Sequence, residues 1–228
     1  MTMQLNGNRL KLLAMVTMTL DHIGAYLFPH ILWLRVIGRL AFPIYAFLIA
    51  EGCRHTRSMG RYLSSVAAMG LVCQVVYFLA MDSLYMCILV TFSLSIGLIW
   101  LLQFAQSRKQ ALLSKALVVL GIFAVYFLCE ILPKLLPGTD YRIDYGFWGV
   151  LVPVVIYCAK DKHSRIIACL IALVCLAVVS SQIQWWSLLA VVPLLFYNGQ
   201  RGKLNLKWFF YLFYPAHLLI IHGISFLL

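Results

Sequence analysis

Six polar or ionisable side chains stand inside stretches otherwise too apolar to hold them. Asp21 and His22 lie in LAMVTMTLDHIGAYLF, Arg35 and Arg39 open RVIGRLAFPIYAFLIAEG, and Tyr214 and His217 lie in FFYLFYPAHLLII. A histidine, with an intrinsic pKa of about 6.5, is suited to general-base work. A carboxylate beside it can orient the ring and support its protonated form. Adjacent helix residues point about 100° apart, so Asp21 can instead pair with an arginine while His22 faces a substrate. Arg35 and Arg39 are four apart and share a helix face, with Pro43 one turn on. Arginines at this depth can hold phosphate or stabilise a developing oxyanion. Tyr214 shares a face with His217 and can position it. A charge within a membrane span costs about 2.5–3.5 kcal/mol, which marks these residues as candidates for function. The plainer alternatives are arginines that snorkel to the interface, an Asp21–Arg39 ion pair that only fixes packing, and histidines satisfied by interhelical hydrogen bonds.

These residues also agree in depth. His22 lies 11 residues beyond Lys11, His217 lies 10 beyond Lys207, and Arg39 lies 12 before Glu51. At 1.5 Å per residue each is about 15–18 Å from a basic or acidic edge. If the spans are neighbours, Asp21, His22, Arg39 and His217 form one cluster.

Outside it, Glu51, Arg54 and His55, followed by Arg57 and Arg61, read either as an orienting basic loop or as an anion-binding rim for a phosphorylated cofactor such as coenzyme A. The longest polar excursion on the far side, Pro133 to Gly149, carries Asp140, Arg142 and Asp144, which read as a solvated loop or a contact for an acceptor. Tyr45 reads as packing, and Trp185 with Trp186 as an interfacial belt.

The elements that must position these groups follow from composition. The chain has 228 residues, 64% of them hydrophobic and only 11% charged, with a mean hydropathy of +0.94. No soluble domain of this length covers that much apolar surface. The expected fold is all-α, a polytopic membrane bundle forming a single domain over residues 1–228. About nine spans, possibly eight to ten, are expected near 10–29, 33–51, 62–80, 84–104, 112–132, 146–159, 165–181, 184–197 and 208–228. The first run lacks a small-residue cleavage site and reads as a retained span.

The net charge of +11 is explained by orientation and not by nucleic acid. With nine spans, the 18 basic residues fall on one side except for Arg35, Arg39, Lys134 and Arg142. The positive-inside rule then puts the N-terminus in the cytoplasm. The seven cysteines stand singly, without a CxxC pair, and read as packing residues; no metal site is expected.

Three segments carry a family resemblance: LDHIG (Leu20 to Gly24), LRVIGRLAFPIYAFLIAEG (Leu34 to Gly52) and FYPAHLLII (Phe213 to Ile221). Together they resemble the TraX family, whose namesake is linked to N-terminal acetylation of conjugative pilin. That family is regarded as a distant relative of the acyltransferase-3 membrane acyltransferases. The resemblance implies transfer of an acetyl or other acyl group from acyl-CoA to an amine or hydroxyl acceptor at or across a bacterial cytoplasmic membrane. In acyltransferase-3 proteins a histidine in an early span and nearby arginines are the supposed catalytic group, and His22, Arg35 and Arg39 are the matching positions; the residues themselves add Asp21 and His217 as supports for a His22 base. Arg35, Arg39, Glu51, Arg54, His55 and Tyr214 are then the candidates for holding the donor. The acceptor stays open among a peptide N-terminus, a glycan and a small molecule, with membrane lipid as the other partner. Two rival readings use the same residues: a small proton-coupled transporter with the Asp–His–Arg cluster as its relay, and an assembly protein whose buried charges only register helices.

Overall fold

Apolar runs in lipid must satisfy their backbone internally, and the chain does so with helices. The computed structural model describes residues 4–107, 111–203, 207–225 and 227; Arg108 and Lys109, two of the basic residues that the sequence puts on the cytoplasmic side, lie outside them. In order the elements are α1 (Gly7–Tyr26), α2 (Leu32–Gly38), α3 (Ala41–His55), α4 (Met59–Met81), α5 (Ile88–Ser107), α6 (Ala111–Tyr126), a π-helical segment (Phe127–Ile131) and α7 (Leu132–Leu135). There follow α8 (Gly146–Cys158), α9 (Lys162–Val179), a 3₁₀ helix (Gln182–Ala190), α10 (Val191–Leu195) and α11 (Lys207–Ser225). No strand occurs among the described residues; two isolated bridges pair Leu5 with Tyr197 and Met86 with Ile143. The protein is an all-helical integral membrane protein.

Among the described residues, five helical stretches are long and apolar enough to cross a membrane: Leu32–His55, Met59–Leu79, Ile88–Ser107, Leu112–Leu135 and Lys162–Val179. Three apolar helices are shorter, Gly146–Cys158, Gln182–Leu195 and Leu212–Ser225. Each of the nine runs read from the sequence contains a helix, while length and composition mark five as spans.

The run at 33–51 is not one continuous helix. It breaks at Arg39 and Leu40, between α2 and α3, and not at Pro43. The turn is tight: the Arg39 amide reaches the carbonyls of Arg35 (3.1 Å) and Val36 (3.2 Å), and the Leu40 amide reaches Ile37 (3.2 Å). Pro43 is the third residue of α3, within the first turn, where its missing N–H costs no hydrogen bond.

The chain divides into two compact units. The first comprises Met1–Leu48 and Ala159–Leu228. In it α1 packs on α2 and α11, while the 3₁₀ helix packs on α2, α9 and α10. Its core includes Leu10, Ala14, Phe47, Leu173, Leu176 and Leu194, all fully buried. Its first helix is capped by Asn6, whose side chain accepts from the Arg9 amide at 3.0 Å. The 3₁₀ helix is nine residues long, far beyond the usual three or four. Its buried positions, Gln184, Ser187 and Ala190, recur every three residues, the period at which 3₁₀ side chains eclipse.

The second unit is Ile49–Cys158, in which α5 packs on α4, α6 and α8. Its loop between α7 and α8 is tied down by acidic side chains. Asp140 accepts from the Ser83 hydroxyl (2.5 Å) and the Leu84 amide (2.8 Å). Asp144 accepts from the Tyr85 hydroxyl (2.6 Å), and Glu130 from the Phe147 amide (3.1 Å). The two donors to Asp140 hold its carboxyl below its ordinary range.

Candidate functional site

Helix α1 brings Asp21 and His22 to the first unit, α2 and its following turn bring Arg35 and Arg39, and α11 brings His217. Asp21 faces the arginines. The Arg39 Nη2 donates to both Asp21 oxygens, at 2.7 and 2.6 Å. The Arg35 Nη1 lies 2.9 Å from Asp21 Oδ2 and also donates to the Asp21 carbonyl at 3.2 Å. The carboxylate and Arg39 are only 14% and 12% exposed, and Arg35 is 29% exposed. One carboxylate between two guanidiniums leaves the group with a net positive charge. Each guanidinium carries five N–H donors, and Arg35, the more open of the two, turns Nη1 to Asp21.

This packing needs glycine. A Cβ on Gly38 would overlap the Asp21 side chain, meeting Cγ at 2.6 Å, and a Cβ on Gly24 would meet Leu34 Cβ at 2.7 Å. With no side chain at Gly24 and Gly38, α1 and α2 approach closely enough for Asp21 to reach both arginines.

His22 is oriented from a different direction. Its Nδ1 lies 3.0 Å from His217 Nε2, and His217 Nδ1 lies 2.9 Å from the Phe213 carbonyl. A carbonyl only accepts, so His217 carries its hydrogen on Nδ1. In the neutral ring Nε2 then accepts, which places the His22 hydrogen on Nδ1. The lone pair of His22 is left on Nε2, the disposition of an oriented general base. The hydrogen-bond network assigns these tautomers. Phe213 stacks on His217 with ring centroids 4.9 Å apart, and Tyr214 meets it edge-on at 5.5 Å. His217 is 4% exposed, so its ring is held on all sides.

The structure therefore brings Asp21, His22, Arg35, Arg39, His217 and Tyr214 into one unit. The partner that orients His22 is His217 and not Asp21. Gly38, Gly24 and the Phe213 carbonyl went unread in the sequence; the glycines' signal is their place, three residues after Asp21 and one before Arg39.

Glu51, Arg54 and His55 belong to the second unit. Glu51 is buried, at 3.9 Å from Arg54 and 3.7 Å from His55, whose side chain is exposed. The Arg54 Nη2 donates to the carbonyls of Tyr157 and Ile156 at the end of α8, and its guanidinium lies over the Tyr157 ring at 5.0 Å. It caps a helix C-terminus, where cations are favourable. Among the described residues no group of three or more metal-ligating side chains occurs.

A family model described as TraX protein matches residues 6–225. A probable fimbrial assembly protein, FimC of serogroup H1 from Dichelobacter nodosus, is 26% identical over 93% of both chains. An uncharacterised protein of Rickettsia prowazekii, RP591, is 53% identical over 38 residues, covering 17% of this chain and 15% of that one. No solved structure matches.

Proposed function

The chain belongs to the TraX family, and from that premise we propose that it is a membrane acyltransferase that moves an acetyl or other acyl group from acyl-CoA to an amine or hydroxyl. The observation that carries this reading is the hydrogen-bonded line Phe213 carbonyl–His217–His22, which leaves a lone pair on His22 Nε2 next in sequence to a carboxylate holding two arginines.

In the proposed reaction His22 Nε2 takes the proton of the acceptor N–H or O–H as that atom attacks the thioester carbonyl carbon. His217 Nε2 supports the imidazolium through the His22 Nδ1 hydrogen. Arg35, the more open guanidinium, donates to the oxyanion that forms on the carbonyl oxygen. Arg39 and Asp21 hold Arg35 in place. As the tetrahedral intermediate collapses, the carbon–sulfur bond breaks and His22 returns its proton to the departing thiolate. The products are an amide or ester and the free thiol of coenzyme A. Arg54 has no part in this assignment, because it caps α8.

The fimbrial name of the Dichelobacter relative supports an envelope fibre subunit as the acceptor, with its N-terminal amine as the attacking group. We place the enzyme in a bacterial cytoplasmic membrane with its N-terminus and basic loops in the cytoplasm, where acyl-CoA is found.

The test is release of free thiol from acetyl-CoA by purified protein in nanodiscs supplied with amine acceptors. His22→Ala is expected to lose about 10²–10⁴-fold in rate. A folded His22→Ala protein with wild-type turnover overturns the assignment.

A further inference from the structure

On the first unit, an open groove of about 540 Å³ runs between the start of α1 and the segment formed by the 3₁₀ helix and α10. Leu5, Leu13, Leu40, Val192 and Phe196 contribute to its walls, and one charged residue, Arg9, sits among them. The N-terminal strap holds the groove's end together: the Leu5 amide donates to the Phe196 carbonyl at 2.9 Å, and the Asn198 amide returns to the Leu5 carbonyl at 2.9 Å. Lys162 reaches the same end, its Nζ donating to the Leu195 carbonyl at 2.9 Å. Among the described residues no acidic side chain lines the groove.

We propose that this groove binds one anionic phospholipid, with an acyl chain along the leucine walls and the phosphate on Arg9 and Lys162. The walls alone would suit any chain in the bilayer. Charge complementarity selects the occupant, because Arg9 lines the groove, Lys162 reaches its end, and among the described residues no carboxylate lines it. A zwitterionic lipid brings its own cation to that end and loses the advantage. The inference is independent of the acyl-transfer reading, since the groove contains no residue of the histidine–arginine group. Leu40, which lines it, follows Arg39 at the break between α2 and α3. A chain seated there therefore braces the turn that carries Arg39.

The experiment is native mass spectrometry of the full-length protein released from nanodiscs with equal phosphatidylglycerol and phosphatidylcholine. The wild type is expected to retain phosphatidylglycerol in preference. Each basic side chain near a membrane surface contributes about fivefold in anionic-lipid affinity, so Arg9→Gln with Lys162→Gln should reduce the preference by an order of magnitude. Arg9→Lys should keep most of it. Val192→Trp, which fills the groove, should lower retention of both lipids, with helicity by circular dichroism confirming that each variant is folded. Soluble glycerol phosphate should not displace the lipid; displacement would mean a phosphate site without a chain and would overturn the proposal. Equal retention of the two lipids by the wild type, or a preference untouched by both the charge and the filling variants, would also overturn it. So would a wild-type dimer that Val192→Trp dissociates, since the groove would then be covered by a second copy.

Discussion

Replacing Asp21 by asparagine keeps the side chain's size and removes the one charge that two guanidiniums share. In the structure Asp21 holds Arg39 through both oxygens at 2.7 and 2.6 Å and Arg35 at 2.9 Å. Arg39 and Asp21 are nearly buried, so water cannot readily take over the lost interaction. Removing one member of a buried pair typically costs 3–5 kcal/mol; with Arg35 partly exposed, about 3 kcal/mol is expected here. Arg39→Gln should cost somewhat less, because Asp21 keeps Arg35, and Arg35→Gln least of all. Reversible unfolding by dodecyl sulfate in mixed micelles, followed by circular dichroism, reads these differences. A double-mutant cycle between Asp21→Asn and Arg39→Gln should return a coupling of about 1–3 kcal/mol. Asp21→Asn within about 0.5 kcal/mol of the wild type, or a coupling near zero, would refute the claim that the ion pair holds α1 to the turn after α2.

Three further outcomes are expected. Gly38→Ala sets a methyl group against the Asp21 side chain, so it should destabilise by about 1–3 kcal/mol, the usual cost of overpacking, and lower acyl transfer in parallel. Gly97→Ala, with open space around its Cβ, is the control and should show neither effect. His217→Phe removes the acceptor for His22 Nδ1 while keeping a ring against Phe213; it should lower turnover by more than tenfold and shift the pH–rate profile, whereas a purely packing role predicts no shift in the profile. The acidic ties outside the spans give a pH dependence with a definite sign. The Asp140 carboxyl lies below its ordinary 3.8 because Ser83 and Leu84 donate to it, and the Asp161 carboxyl is lowered to about 2 by the Ser164 amide and hydroxyl. Each folded value is depressed, so the stabilisation is fully present above about 3.8 and is lost as pH falls through the folded value. Proteolysis of the 133–149 loop should therefore accelerate below pH 3.8, and Asp140→Asn should show the faster cleavage at neutral pH.

The sequence carried the class of fold because lipid admits few structures: nine apolar runs each contain helix. It carried less of the detail where local preference and packing compete. In the run at 33–51 the helix breaks at Arg39, directly after Gly38, which lies against Asp21 where a side chain would overlap it, and no periodicity shows that contact in advance. The depth estimate put Asp21, His22, Arg39 and His217 at one level, and the structure gathers them in one unit. Their pairing was not legible, since periodicity gives the level of a side chain but not which neighbour its hydrogens meet. Asp21 and His22 are consecutive, so a helix sends them to different partners, the carboxylate to α2 and the imidazole to α11. Arg54 shows the opposite limit. A basic residue after an apolar run reads as a loop charge, and only the arrival of α8 a hundred residues later gives it carbonyls to cap.

The nine-residue 3₁₀ helix has a mechanical consequence. A 3₁₀ helix rises about 2.0 Å per residue against 1.5 Å for an α-helix, so Gln182–Leu195 extends for about 25 Å, where fourteen α-helical residues would reach only about 21 Å. A segment that looks too short for a bilayer interior of about 30 Å gains the reach of about three α-helical residues from its winding alone. Rewinding it to α would shorten it by about 4 Å and turn Gln184 and Ser187 off their common line, since three-residue spacing closes a turn only at the tighter pitch. The winding thus sets the reach of the segment: the same fourteen residues extend farther at the tighter pitch than they would as an α-helix.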